Sequence, residues 1–123
     1  MPEGFGKTLA IGHALVGIAA LLSPMRTADT FGVRPARSTV FITRLFGSRD
    51  LVLAWAITST LAGSAEHKLA LLAANAINLI DAISGVVTYL HKDLSDKGLI
   101  LGTGGALGLF ALGFASLKRQ HLI

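Results

Sequence analysis

Four long apolar runs divide the chain. They cover roughly residues 8–23, 38–61, 69–90 and 98–117. Short polar stretches separate them. The first run follows Lys7 and stops at Ser23-Pro24, where proline cannot continue a helix. Met25 to Arg37 follows, with Arg26, Asp29, Gly32, Arg34 and Pro35, and reads as an interfacial loop whose arginines reach back to headgroups. Ser38 is a candidate N-cap for the second run and Ser64 for the third. Glu66, His67 and Lys68 mark one interface, and His91 to Lys97 form a charged turn at the other.

Each run is about 16 to 24 residues long, against the roughly 20 that a helix needs to cross a bilayer core of about 30 Å. Lipid satisfies no backbone polar group, so helix is preferred over open strand. The pattern predicts an all-α protein: one membrane domain over residues 1–123, built as a four-helix transmembrane bundle. Short connections favour antiparallel neighbours. An even number of spans puts both termini on the same side.

Composition supports this reading. Of 123 residues 52% are hydrophobic and 15% charged, and mean hydropathy is +0.64. A small soluble domain cannot bury that much apolar surface. The net charge is +4. The basic residues sit at the edges of the runs, as expected for groups that meet headgroups, and no nucleic-acid motif interleaves them with aromatics. They divide almost evenly between the two faces, so the positive-inside rule sets no orientation. A charged flank before the first run also describes a signal peptide, but no small-x-small cleavage pattern follows it. There is no cysteine, which excludes disulfides, thiolate metal sites and cysteine nucleophiles.

The polar groups inside the runs carry the chemistry. Ionisable side chains at membrane depth are costly and functional by default. The second run contains Arg44, Arg49 and Asp50; the third contains Asn75, Asn78 and Asp81; the first contains His13. At about 1.5 Å per residue, Asp50 lies roughly 18 Å in from Ser38, Asp81 roughly 15 Å in from His91, and His13 roughly 16 Å in from Pro24. His13, Arg49, Asp50, Asn78 and Asp81 therefore share one layer near the bilayer centre. Arg44 lies about a turn and a half nearer the interface, level with Thr88 and Tyr89. Asn75, Asn78, Ala82, Gly85 and Tyr89 make a polar and small stripe that should face partner helices or a cavity. Arg49 and Asp50 point about 100° apart, so Arg49 is free to reach another helix. The fourth run is glycine-rich, and Gly104 and Gly108 make a small-xxx-small pair expected to form a packing wall.

Two carboxylates near an arginine suit acid–base work. In a low dielectric they resist ionising together, so one can donate a proton while the other, held by arginine, takes one from water. We expect Asp50 and Asp81 as acid and base and Arg49 and Arg44 as carboxylate or oxyanion partners. Asn78 and His13 orient, and Trp55 and Tyr89 serve either as helix packing, the commoner role, or as aromatic pocket walls. No His, Asp or Glu set has metal-ligand spacing, and no phosphate loop, dinucleotide fingerprint or nucleophile elbow is present. Neither metal nor cofactor is expected. The expected partners are a lipophilic small-molecule substrate and membrane lipids, with self-association left open.

The run Arg44-Leu-Phe-Gly-Ser-Arg49-Asp50, with Asn78 and Asp81 in the next helix, resembles a family of small four-span integral membrane proteins of fungi and bacteria. Some similar members are assigned as epoxide hydrolases of fungal polyketide pathways. The matched positions are Arg44, Gly47, Arg49, Asp50 and Asp81. The resemblance implies secondary-metabolite biosynthesis and an epoxide hydrolase-like activity. Acid–base chemistry alone fits hydrolysis, isomerisation or cyclisation equally. Two non-enzymatic readings stand beside it: a proton or small-solute pathway, and a membrane scaffold subunit.

Overall fold

The computed structural model describes residues 4–31, 37–92 and 94–123. All regular structure among them is helical: α1 Gly4–Leu22, α2 Pro24–Thr30, α3 Arg37–Ser59, α4 Ala65–Leu90 and α5 Asp96–Arg119. Gly32, Arg34, Pro35 and Asp93 of the expected connections lie outside the described residues.

Three helices, α1, α4 and α5, are long and apolar enough to cross a membrane. The fourth long helix, α3, has 23 residues but interrupts its apolar sequence with Arg44, Arg49 and Asp50. Large apolar side chains on all four face outward, among them Leu15, Phe41, Trp55, Ile80 and Ile100. Such a surface suits a lipid solvent and not water.

The segment after Pro24 differs from the expected loop. It forms the short helix α2, because a proline at the first helical position loses no hydrogen bond and arrives with helical φ. Helix α4 begins as expected, with Ser64 Oγ accepting from the His67 amide at 3.1 Å. Helix α5 contains a π-turn at Leu99–Thr103, the kind of local insertion that often sits beside functional sites.

Packing is uneven. Helix α1 lies closely along α3, and α4 along α5, whereas α3 touches α4 lightly. The half of the molecule nearer the α3–α4 turn is filled by Leu9, Leu53, Ile57, Leu71 and Leu117. The other half is hollow, and α2 packs across its end against α3 and α1.

Two close backbone approaches set this geometry. A Cβ on Gly17 would lie 2.8 Å from the Gly47 carbonyl oxygen, and one on Gly47 would lie 2.8 Å from that of Gly17. On the opposite side, a Cβ at Gly85 would collide with the Thr103 hydroxyl, and one at Gly113 with the Asn75 amide. The expected packing pair Gly104 and Gly108 does neither: both are exposed and a Cβ on either meets nothing within 4 Å. Small residues permit close packing only on the face that meets a neighbour, and these two fall on the other face.

Candidate functional site

The α1–α3 contact brings His13 and Asp50 together. His13 is one helical turn before Gly17, and Asp50 follows Gly47 by three residues, so antiparallel helices meeting at the glycines face these side chains toward each other. His13 Nδ1 lies 3.5 Å from Asp50 Oδ2, and the residues are 1% and 2% exposed. That separation is too long for a strong hydrogen bond, and His13 Nδ1 has no hydrogen-bond partner.

The chain of contacts continues in both directions. His13 Nε2 lies 3.3 Å from Asn78 Nδ2 on α4. With the amide nitrogen facing the ring, Nε2 accepts and the ring proton sits on Nδ1, the atom nearest Asp50. On the other side of Asp50, Arg49 Nη2 approaches Oδ1 at 3.5 Å. The same guanidinium grips Asp81 with both terminal nitrogens, Nη2 to Oδ2 at 2.7 Å and Nη1 to Oδ1 at 3.3 Å. Its face lies 4.5 Å from the centre of the Phe46 ring, which adds a cation–π contact. Asn78, His13, Asp50, Arg49 and Asp81 thus form one network across three helices. The Arg49 and Asp81 side chains are 35% and 27% exposed, so the network runs from a sealed interior to an open edge.

This network floors a cavity of about 430 Å³, a size within the usual range of about 300–1,000 Å³ for small-molecule pockets. Asp50, Asn78 and Asp81 line it directly. Its walls are largely apolar: Val16 from α1, Ile42 and Phe46 from α3, Leu101 and Leu109 from α5. Thr27, Ala28 and Phe31 close it at the α2 end. A low-dielectric chamber with charged groups at one end is a setting in which electrostatic effects on a bound molecule are strong.

Five of the eight residues singled out in the sequence are gathered here; three are not. Arg44 is exposed on α3 and lines no part of the cavity. It lies five residues before Arg49, about 140° around the helix. Trp55 is 69% exposed on the outer surface. The Tyr89 hydroxyl donates to Asp96 Oδ1 at 2.7 Å, away from the cavity. Arg44 and Trp55 are removed by their outward angle on α3.

Sequence reasoning also passed over His67, read only as an interface marker. It is fully buried. Its Nδ1 lies 2.8 Å from Thr60 Oγ1 and its Nε2 3.2 Å from Gln120 Nε2. Gln120 in turn accepts from the Gly63 amide at 2.7 Å, tying the end of α5 to the α3–α4 turn. The signal was available: His67 shares a helical face with Leu71, Ala74, Asn78 and Ala82.

Among the described residues no group of three or more His, Asp or Glu side chains is placed to hold a metal. Comparison with protein-family models, curated proteins and solved structures finds no match.

Proposed function

We propose that the protein is a multi-pass integral membrane enzyme that opens an epoxide, by hydration or cyclisation, on a lipophilic small molecule. In this reading α1, α3, α4 and α5 are four spans with both termini on one side. The charges of α3 are tolerated because Arg49 and Asp50 turn inward to partners. The observation that carries the proposal is the Asp50–Arg49–Asp81 bridge at the floor of a largely apolar chamber.

The roles follow from charge and contact. Arg49 contributes one positive charge and the two carboxylates up to two negative ones. Asp81 is held by both terminal nitrogens of Arg49. It is the base that takes a proton from water, or from a substrate hydroxyl in a cyclisation. Asp50, beside His13, is the acid. The nucleophile's oxygen forms a bond to one epoxide carbon as that carbon's bond to the ring oxygen breaks, and Asp50 protonates the departing oxygen. The proton gained by Asp81 returns to Asp50 before the next turnover. Asn78 and His13 orient Asp50, and Phe46 steadies the guanidinium.

This reading uses Gly47, Arg49, Asp50 and Asp81 of the resembling motif and gives no role to Arg44, which does not line the chamber. A proton pathway is the rival reading: the network meets the Leu9, Leu53, Ile57 and Leu71 core, beyond which His67 is buried. The test is to reconstitute the purified protein in vesicles, supply long-chain and terpenoid epoxides, and analyse products by mass spectrometry. Diols or cyclic ethers formed only with the protein support the proposal. Proton flux across the vesicle wall without product would sink it.

A further inference from the structure

We propose that the chamber is filled sideways from the bilayer, through the gap between α3 and α4 beside the Arg49–Asp81 pair, by an elongated molecule that is apolar along its length and carries its reactive oxygen at the inner end. This rests on the catalytic reading for the identity of that oxygen, but the route of entry stands on separate observations.

The first is the packing. Helix α3 is fastened along α1 and only lightly to α4. Ile42 on α3 and Ser84 on α4 both line the chamber and are exposed. Below them Arg49 and Asp81 span the same gap while staying partly exposed. A break in the wall thus lies between two helices, along their length. The second is the closure of the chamber's end. Helix α2 and Phe31 cover it, and Phe31 reaches α5, where its carbonyl oxygen sits where a Cβ on Gly98 would lie. A solute from water meets this cover; a solute in the lipid meets the gap.

The third is the pattern of glycines that α4 and α5 contribute to the chamber wall. Glycine inside a helix is unfavourable unless something needs the space. Gly85 and Gly98 are required by neighbours of the same chain. Gly102 and Gly105 also line the chamber, yet a Cβ on Gly105 meets nothing within 4 Å and one on Gly102 meets only Phe31 at 3.9 Å. No packing contact accounts for their missing side chains. The space they leave belongs to the occupant, which makes these two positions the determinants of how wide a molecule fits.

Entry from lipid is measured by fluorescence quenching in vesicles. Trp55 is the single tryptophan, so Trp55→Phe with Phe46→Trp places one indole on the chamber wall; Trp55→Phe with Val16→Trp is the second reporter should the first not fold. The probes are phosphatidylcholine brominated midway along its acyl chains, and iodide in the water. Side entry predicts that brominated lipid quenches the chamber indole about as strongly as it quenches Trp55 in the unaltered chain, that iodide does not, and that adding Ser84→Phe removes most of the lipid effect. Quenching by iodide without quenching by brominated lipid, or a lipid effect that Ser84→Phe leaves intact, overturns the proposal. The readout needs no turnover, so lipid quenching without any epoxide product sustains side entry while defeating the catalytic reading.

Discussion

Gly17 and Gly47 touch backbone to backbone, and that contact holds His13 of α1 against Asp50 of α3. Neither glycine has room for a methyl group. The added Cβ of Gly47→Ala would stand 2.8 Å from a backbone oxygen and 2.9 Å from the Ala20 Cβ, atoms that cannot swing away. Gly47→Ala should cost about 1–3 kcal/mol, the usual range for overpacking. It should also lower turnover by separating His13 from Asp50. Thermal unfolding in detergent checks the first effect. Gly104→Ala and Gly108→Ala are the controls: both positions face open space, and both should leave stability equal or higher.

The chamber-lining glycines of α4 and α5 separate packing from function. Gly105→Ala should stabilise the helix by up to about 1 kcal/mol, the difference in propensity between the two residues, because nothing opposes the new methyl group. Gly105→Leu should reduce turnover of wide substrates without unfolding the protein. Gly85→Ala should do the opposite, losing stability through its collision with Thr103. Parallel measurements of melting temperature and product formation across the three variants check this. A Gly105→Leu protein with unchanged activity on every substrate would show that the α5 wall does not bound the site.

Arg49 does what lysine cannot. Its planar fork holds both oxygens of Asp81 and reaches Asp50, while its face rests on Phe46. A lysine offers one point charge and no plane. Arg49→Lys should fold but lose most activity, with kcat falling more than KM rises. Arg49→Met leaves Asp81 without its partner and should be destabilised as well, by about 3–5 kcal/mol if the pair is as secluded as a buried one and less in proportion to its exposure. Steady-state kinetics and unfolding of the two variants separate the roles.

Much of this organisation is legible in the sequence. Four apolar runs correspond to α1, α3, α4 and α5, and counting residues inward placed His13, Arg49, Asp50, Asn78 and Asp81 at a common depth, where the structure joins them. Depth follows from the fixed rise of a helix. The direction in which a side chain points depends on which neighbour each face meets, and a single sequence does not state the neighbour. That is why Arg44 and Trp55 fall outside and why Gly104 and Gly108 prove to be open. The stripe on α4 was readable because several residues agree on one face: Asn75 meets Gly113 and Gly85 meets Thr103. Helix α2 is not legible because a proline both ends one helix and suits the first position of the next, as Pro24 does.

In the proposed reaction His13 is a positioning group, and its removal should be graded. His13→Gln keeps a polar group near Asp50 and Asn78, and should retain partial activity with an altered pH profile. His13→Leu leaves Asp50 with Arg49 as its remaining partner and should reduce activity further. Asn78→Leu should resemble His13→Leu, because it frees the ring nitrogen that Asn78 now engages. Double-mutant analysis of His13 and Asn78 should show strong non-additivity, as expected for side chains acting through one network.

The most direct test is turnover of a lipophilic epoxide in water enriched in heavy oxygen, comparing the wild type with Asp50→Asn and Asp81→Asn after each variant is shown to be folded by its helical signal and melting curve. The account predicts labelled diol, or an unlabelled cyclic ether where a substrate hydroxyl attacks. Either substitution should reduce its rate by about 10²–10⁴-fold, the range for losing a general acid or base. Folded Asn variants that turn over as fast as the wild type would contradict it.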